Sequence, residues 1–133
     1  MRWSGESIAL TLGEDVVIAR QAVRRRAVEL GFSLVDQTKV VTAASELARN
    51  TVHHGGGGVM TIDIVREGPR TGLSLTFCDH GPGIPDIERA MQDGYTTGGG
   101  LGLGLSGARR LSHNFSITST PGQGTTIVII RWK

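Results

Sequence analysis

Gly98-Gly99-Gly100-Leu101-Gly102-Leu103-Gly104-Leu105 is the stretch on which the fold turns. Glycine alternates with leucine from position 100 to 105, an order that a flexible linker does not explain. Glycine-rich backbone ahead of a helix exposes N–H groups and the positive end of the helix dipole, which together suit phosphate. Three familiar phosphate loops fit poorly. A Gly-Lys-Ser/Thr loop needs a lysine, and none lies near. Gly102, Gly104 and Gly107 match G-x-G-x-x-G, but the dinucleotide fold needs a strand before it and an acid about 20 positions after it. No Asp or Glu follows Asp93. The eukaryotic-type kinase loop needs a downstream strand lysine and an HRD segment, and neither is present.

Upstream lies Asp79-His80-Gly81-Pro82-Gly83-Ile84-Pro85, directly after the alternating run Leu73, Leu75, Phe77. An aspartate at a strand end can accept the exocyclic amino proton of adenine, and Gly81 and Gly83 would let backbone approach the flat base. The same residues also read as a Gly/Pro turn opened by Asp. Further upstream, Glu46-Leu47-Ala48-Arg49-Asn50 falls in a helical pattern. Glu46 and Asn50, at i and i+4, share one face. An amide oxygen suits Mg²⁺, and a carboxylate can take a proton from an attacking hydroxyl. Taken alone, the pair reads first as an exposed polar pair on a helix.

The rest of the chain supplies the frame. Ser7 to Leu12 alternates as a short strand. Glu14 to Leu30 has helical spacing, stopped by Gly31. Ser33 with Asp36 resembles a capping box. The helix it opens runs to about His53, with Val40, Ala44, Leu47 and Thr51 inward. Strands follow through Met60, Ile62 and Ile64 and through Leu73, Leu75 and Phe77, joined at Gly68 to Gly72 as a hairpin. Pro85 is placed to start a helix over 86–93. A further helix runs from near Gly102 to His113. Strands at Phe115 to Ser119 and Thr126 to Trp132 flank the turn Pro121-Gly122-Gln123-Gly124. The order β-α-α-β-β-α-α-β-β predicts an α/β two-layer sandwich, a mixed sheet with helices on one face.

Length and charge bound the function. The chain has 133 residues, of which 20 are glycine, and a formal net charge of +2. That length fits one domain, 1–133. The charge is too small to argue for nucleic acid. Arg109, Arg110, Arg131 and Lys133 make the C-terminal third basic, which suits a polyanionic ligand and equally describes a solvated face. Arg20, Arg24, Arg25 and Arg26 decorate the first helix, as solvated charges or as a docking face. Cys78 is the single cysteine, so no intrachain disulfide forms. No signal-peptide h-region and no bilayer-spanning run is visible. The expectation is a soluble cytoplasmic protein.

The three segments together, in fixed order, resemble the GHKL ATPase superfamily. That resemblance implies the Bergerat fold and ATP with Mg²⁺ as ligands. It implies Glu46 as general base, Asn50 on Mg²⁺, and Asp79 on adenine beside Gly81 and Gly83. Gly100, Leu101, Gly102, Leu103 and Gly104 would wrap the phosphates, and Thr125 would help hold the adenine end. Gly94-Tyr95-Thr96-Thr97 and the Gly-Pro-Gly-Ile-Pro run are similar to the stressosome switch kinases, related to the anti-sigma-factor kinases. Kinship of that kind implies a serine/threonine-protein kinase with a STAS-domain substrate, which on release activates a PP2C-type phosphatase. A sigma factor is the alternative partner, held by an anti-sigma factor or a nucleotide-switched binding module. A detached ATPase domain is a third reading. His53 and His54 depart from the switch kinases. Anti-sigma kinases often carry a histidine at the position of His54, which implies a phosphate contact, while His53 reads as structural.

Overall fold

The computed structural model describes residues 5–92 and 104–133. The chain runs β1 (Glu6–Leu10), α1 (Gly13–Glu29), α2 (Leu34–His53), β2 (Gly58–Glu67), β3 (Arg70–Asp79), α3 (Ile87–Ala90), α4 (Gly104–Arg110), β4 (Asn114–Thr120) and β5 (Gly124–Trp132).

Each helix end has a local cause. Asp15 accepts from the Thr11 and Leu12 N–H groups at 2.9 and 2.8 Å. These bonds turn the chain into α1, so β1 stops at Leu10 and Leu12 is exposed rather than continuing the expected strand. At the other end Gly31 takes φ +83°, and Phe32 N–H donates to the Ala27 carbonyl at 2.9 Å. This closure buries Phe32. Ser33 then caps α2, its hydroxyl accepting from Asp36 N–H at 3.1 Å. Asp86, rather than Pro85, starts α3, by accepting from Arg89 N–H at 3.0 Å. That helix ends at Ala90, short of the expected Asp93, which lies outside the described residues.

The five strands lie in the order β1-β2-β3-β5-β4. Every neighbouring pair is antiparallel, which corrects the expected mixed sheet. β3 and β4 do run parallel, but β5 inserts between them, so no parallel pair becomes adjacent. The two-layer α/β sandwich stands. Strand alternation sends Met60, Ile62, Leu73, Leu75, Phe77, Ile127 and Ile129 into the core. Val16, Ala19, Val23 and Ala27 of α1 and Val40, Ala44, Leu47 and Ala48 of α2 meet them there. The small alanines let the helices lie close on the sheet. Two ion pairs fix the layers at their rims: Arg26 with Glu6 at 2.9 Å, and Arg131 with Asp36 at 2.6 Å.

The start of the last helix, expected near Gly102, lies outside the described residues. Its end comes earlier than expected, because His113 N–H donates to the Ile130 carbonyl at 3.0 Å and so joins the sheet. Among the described residues, no helix is long and apolar enough to cross a membrane.

Candidate functional site

Strand register sets one end of the site. Asp79 pairs with Gly58 on β2 and Thr125 on β5, and Thr125 pairs with Ser119 on β4. These four residues form a row across the rim of the sheet, on the helix-covered face. Asp79 is 5% exposed, and its Oδ1 accepts from Gly81 N–H at 2.9 Å. Among the described residues, the other oxygen, Oδ2, takes no hydrogen bond. Ser119 ties the row to the Asp79–Pro85 segment. Its hydroxyl accepts from Ile84 N–H at 2.7 Å and lies 2.9 Å from the Thr125 hydroxyl.

The end of α2 reaches this rim. His54 and Gly55 N–H both donate to the Asn50 carbonyl, at 2.9 and 3.1 Å. Gly55 then lies on the Asp79 carboxylate, where a Cβ would collide with the carboxyl carbon and Oδ2. Glu46 stands one turn before Asn50, about 6 Å along the axis. α2 therefore brings Glu46, Asn50, His54 and Gly55 in sequence down to Asp79. Glu46 is paired with Arg49, whose Nη1 donates to Oε1 at 3.0 Å. His54 Nε2 is buried and has no hydrogen-bond partner among the described residues. His53 is exposed, so it has no packing role of the kind expected for a structural histidine.

Gly81 and Gly83 are needed for closeness, but the closeness is to the protein's own backbone. A Cβ on Gly81 would meet the Gly55 backbone, and one on Gly83 would stand 2.6 Å from the Thr120 carbonyl oxygen. Gly122 N–H donates to the Pro82 carbonyl at 2.8 Å, closing this segment on the β4–β5 turn. Gly124 lies against the Asp79 carbonyl in the same way. Gly104, the first described residue of α4, has φ +44°. Gly100, Leu101, Gly102 and Leu103 lie outside the described residues.

Sequence reasoning missed Ser119, the Arg49 pairing and the contact of Gly55 with Asp79. Gly55 carried a signal, four consecutive glycines where one would end a helix. Ser119 carried none, since a serine in an edge strand is unremarkable.

These residues fit a magnesium nucleotide. Asp79 offers an acceptor oxygen that takes no hydrogen bond among the described residues. Among the described residues no three His, Cys, Asp or Glu side chains group to hold a metal. A Mg²⁺ here would take Asn50 and complete its shell with phosphate oxygens and water, as this ion commonly does. His54 Nε2 is a buried polar atom that a phosphate oxygen would satisfy.

A family model for histidine kinase-, DNA gyrase B- and HSP90-like ATPases matches residues 35–133. The chain is 49% identical over 118 residues to serine/threonine-protein kinase RsbT of Bacillus subtilis, covering 89% of each. It is 34% identical over 126 residues to the anti-sigma F factor of Clostridium acetobutylicum, covering 90% of this chain and 87% of that one. It is 32% identical over 124 residues to the anti-sigma F factor of Pasteuria penetrans, covering 89% and 83%. The chain belongs to the histidine kinase-, DNA gyrase B- and HSP90-like ATPase family, in the group that holds RsbT and the anti-sigma F factors.

Proposed function

We propose that this protein transfers the terminal phosphoryl group of ATP to a serine or threonine of a STAS-domain protein, and that on release it activates a PP2C-type phosphatase. The observation that carries the reading is the placement of Glu46 and Asn50 on the helix that ends against Asp79. A binding module has no use for a base one turn from a magnesium ligand. The 49% identity to a protein named as a serine/threonine kinase supports the same reading.

Asp79 holds the adenine end, with Thr125 beside it on the next strand. Asn50 holds Mg²⁺, which when bound neutralises phosphate charge. Residues 100–104 supply backbone N–H groups, and His54 adds one contact. Glu46 takes the proton of the acceptor hydroxyl as the new bond to phosphorus forms. Positioning and charge neutralisation carry most of the rate in phosphoryl transfer.

The test is incubation with γ-labelled ATP and the STAS proteins encoded beside the gene. Label on a serine or threonine of one of them supports the kinase. Similarity to anti-sigma F factors favours a second reading, in which the partner is a sigma factor. Nucleotide-dependent capture of a sigma factor, with no label on any STAS protein, would replace the first reading with the second.

A further inference from the structure

Glu46 and Arg49 sit three residues apart on α2, with Arg49 Nη1 donating to Glu46 Oε1 at 3.0 Å. The two ends of this pair differ. The Glu46 side chain is 9% exposed and that of Arg49 is 40% exposed. An exposed i,i+3 pair would matter little. A carboxylate nine-tenths removed from water is different, because little water reaches its oxygens and a protein donor must bond them. Among the described residues, Arg49 is the hydrogen-bond donor to that carboxylate. The bond also has a geometric effect. It holds Oε1 from the side of the following turn, which selects one side-chain orientation and leaves Oε2 without a hydrogen bond among those residues.

We infer that Arg49 is a positioning residue for phosphoryl transfer, holding the Glu46 carboxylate by one oxygen so that the other receives the acceptor's proton. The inference rests on the reading of Glu46 as the base. In the step it serves, the acceptor O–H bond breaks and its proton passes to Oε2. The acceptor oxygen bonds to the terminal phosphorus of ATP as the bond from phosphorus to the bridging oxygen breaks, its electron pair leaving on ADP. Arg49 touches none of the reacting atoms. Its planar guanidinium suits the task, since one N–H can fix a carboxylate oxygen in direction as well as distance. A lysine offers a point charge on a flexible stem and would restore the pairing only in part.

Two measurements separate this inference from the kinase reading. The first needs no nucleotide. Side-chain three-bond couplings of Glu46, read by NMR in the free protein, should show one rotamer in the wild type and averaging in Arg49→Gln. A single unchanged rotamer in Arg49→Gln overturns the positioning role, whatever the protein phosphorylates. The second is a kinetic cycle of wild type, Arg49→Gln, Arg49→Lys, Glu46→Gln and Arg49→Gln/Glu46→Gln with a STAS acceptor. Arg49→Gln should lower kcat about 10- to 100-fold, a fraction of what a general base supplies. KM for ATP should stay within about twofold, with Arg49→Lys intermediate in kcat. In the Glu46→Gln background the same change should cost less than about twofold, because the group it positions is already lost. An equal loss in both backgrounds would show that Arg49 acts without Glu46, and would overturn the inference. Absence of transfer by the wild type would instead fail the kinase reading, and the rotamer measurement would still decide what Arg49 does to Glu46.

Discussion

Asp79 and Thr125 face each other across the β3–β5 ladder, and Thr125 in turn meets Ser119 at 2.9 Å between hydroxyls. An acid and two hydroxyls therefore line one rim, where Asp79 Oδ1 and the Ser119 hydroxyl bond the segment that follows β3 and Asp79 Oδ2 takes no hydrogen bond among the described residues. Asp79→Asn presents an N–H₂ or a weaker acceptor where a carboxylate stood. ATP affinity by calorimetry should fall at least tenfold, the scale of one lost charge-assisted hydrogen bond. GTP, which lacks the exocyclic amino group of adenine at that position, should bind poorly to the wild type. Equal ATP affinity in mutant and wild type would remove Asp79 from the adenine site.

Gly55→Ala tests the contact between α2 and that rim. A Cβ there collides with the Asp79 carboxylate, and Gly81 packs on the Gly55 backbone. The helix end must shift, at a cost of about 1–3 kcal/mol for overpacking. Thermal unfolding should move down accordingly. ATP affinity should fall as well, measured well below the new midpoint. Gly56→Ala provides a contrast: its φ is +75° but no atom lies within reach of a Cβ, so backbone strain should act without the clash.

Helices and hairpins were legible because their signals are local. Ser33 capping α2 and Gly31 closing α1 follow from residue type alone. The alternation through Leu73, Leu75 and Phe77 gives β3 directly. The antiparallel order was not legible, since the side on which β5 enters depends on distant packing rather than on β5 itself. Asp79 could be read as a site residue because it ends a strand before a Gly/Pro run. Gly81 and Gly83 could be singled out, but not what they approach. Their neighbours, Gly55 and Thr120, are 26 and 37 positions distant in the chain. Arg49 reads as a spacer between Glu46 and Asn50 until its guanidinium is placed.

Acid should loosen the end of the sheet opposite the site. The Arg131 guanidinium bonded to Asp36 at 2.6 Å holds that carboxyl below the usual range. Folding thus gains stability above the unfolded pKa of about 4, lost as pH falls through the lower folded value. His113 adds a second step. Burial first, then Arg131, lowers its pKa, and its Nδ1 accepts from Trp132 N–H at 2.9 Å, which requires the neutral ring. That contribution is present above about pH 6.5 and is lost as pH falls through the lower folded value. Denaturant midpoints between pH 7 and 3 should fall in both windows. Asp36→Asn should flatten the lower one and cost about 1 kcal/mol at neutral pH, since Asp36 is 30% exposed.

Glu46→Gln and Asn50→Ala should separate chemistry from binding. The first should keep ATP affinity and lower phosphotransfer by about a hundredfold or more. The second should abolish the Mg²⁺ dependence of nucleotide binding. Calorimetry with and without Mg²⁺, beside single-turnover transfer, distinguishes them. Mg²⁺-ATP affinity unchanged in Asn50→Ala would move the metal elsewhere.

The most direct measurement is an experimental structure of the protein with Mg²⁺ and a non-hydrolysable ATP analogue. The adenine amino group should lie within hydrogen-bond distance of the Asp79 carboxylate. Mg²⁺ should rest on the Asn50 side-chain oxygen, with the terminal phosphate towards Glu46 and residues 100–104. A nucleotide seated away from Asp79, or a metal that does not touch Asn50, would contradict the account.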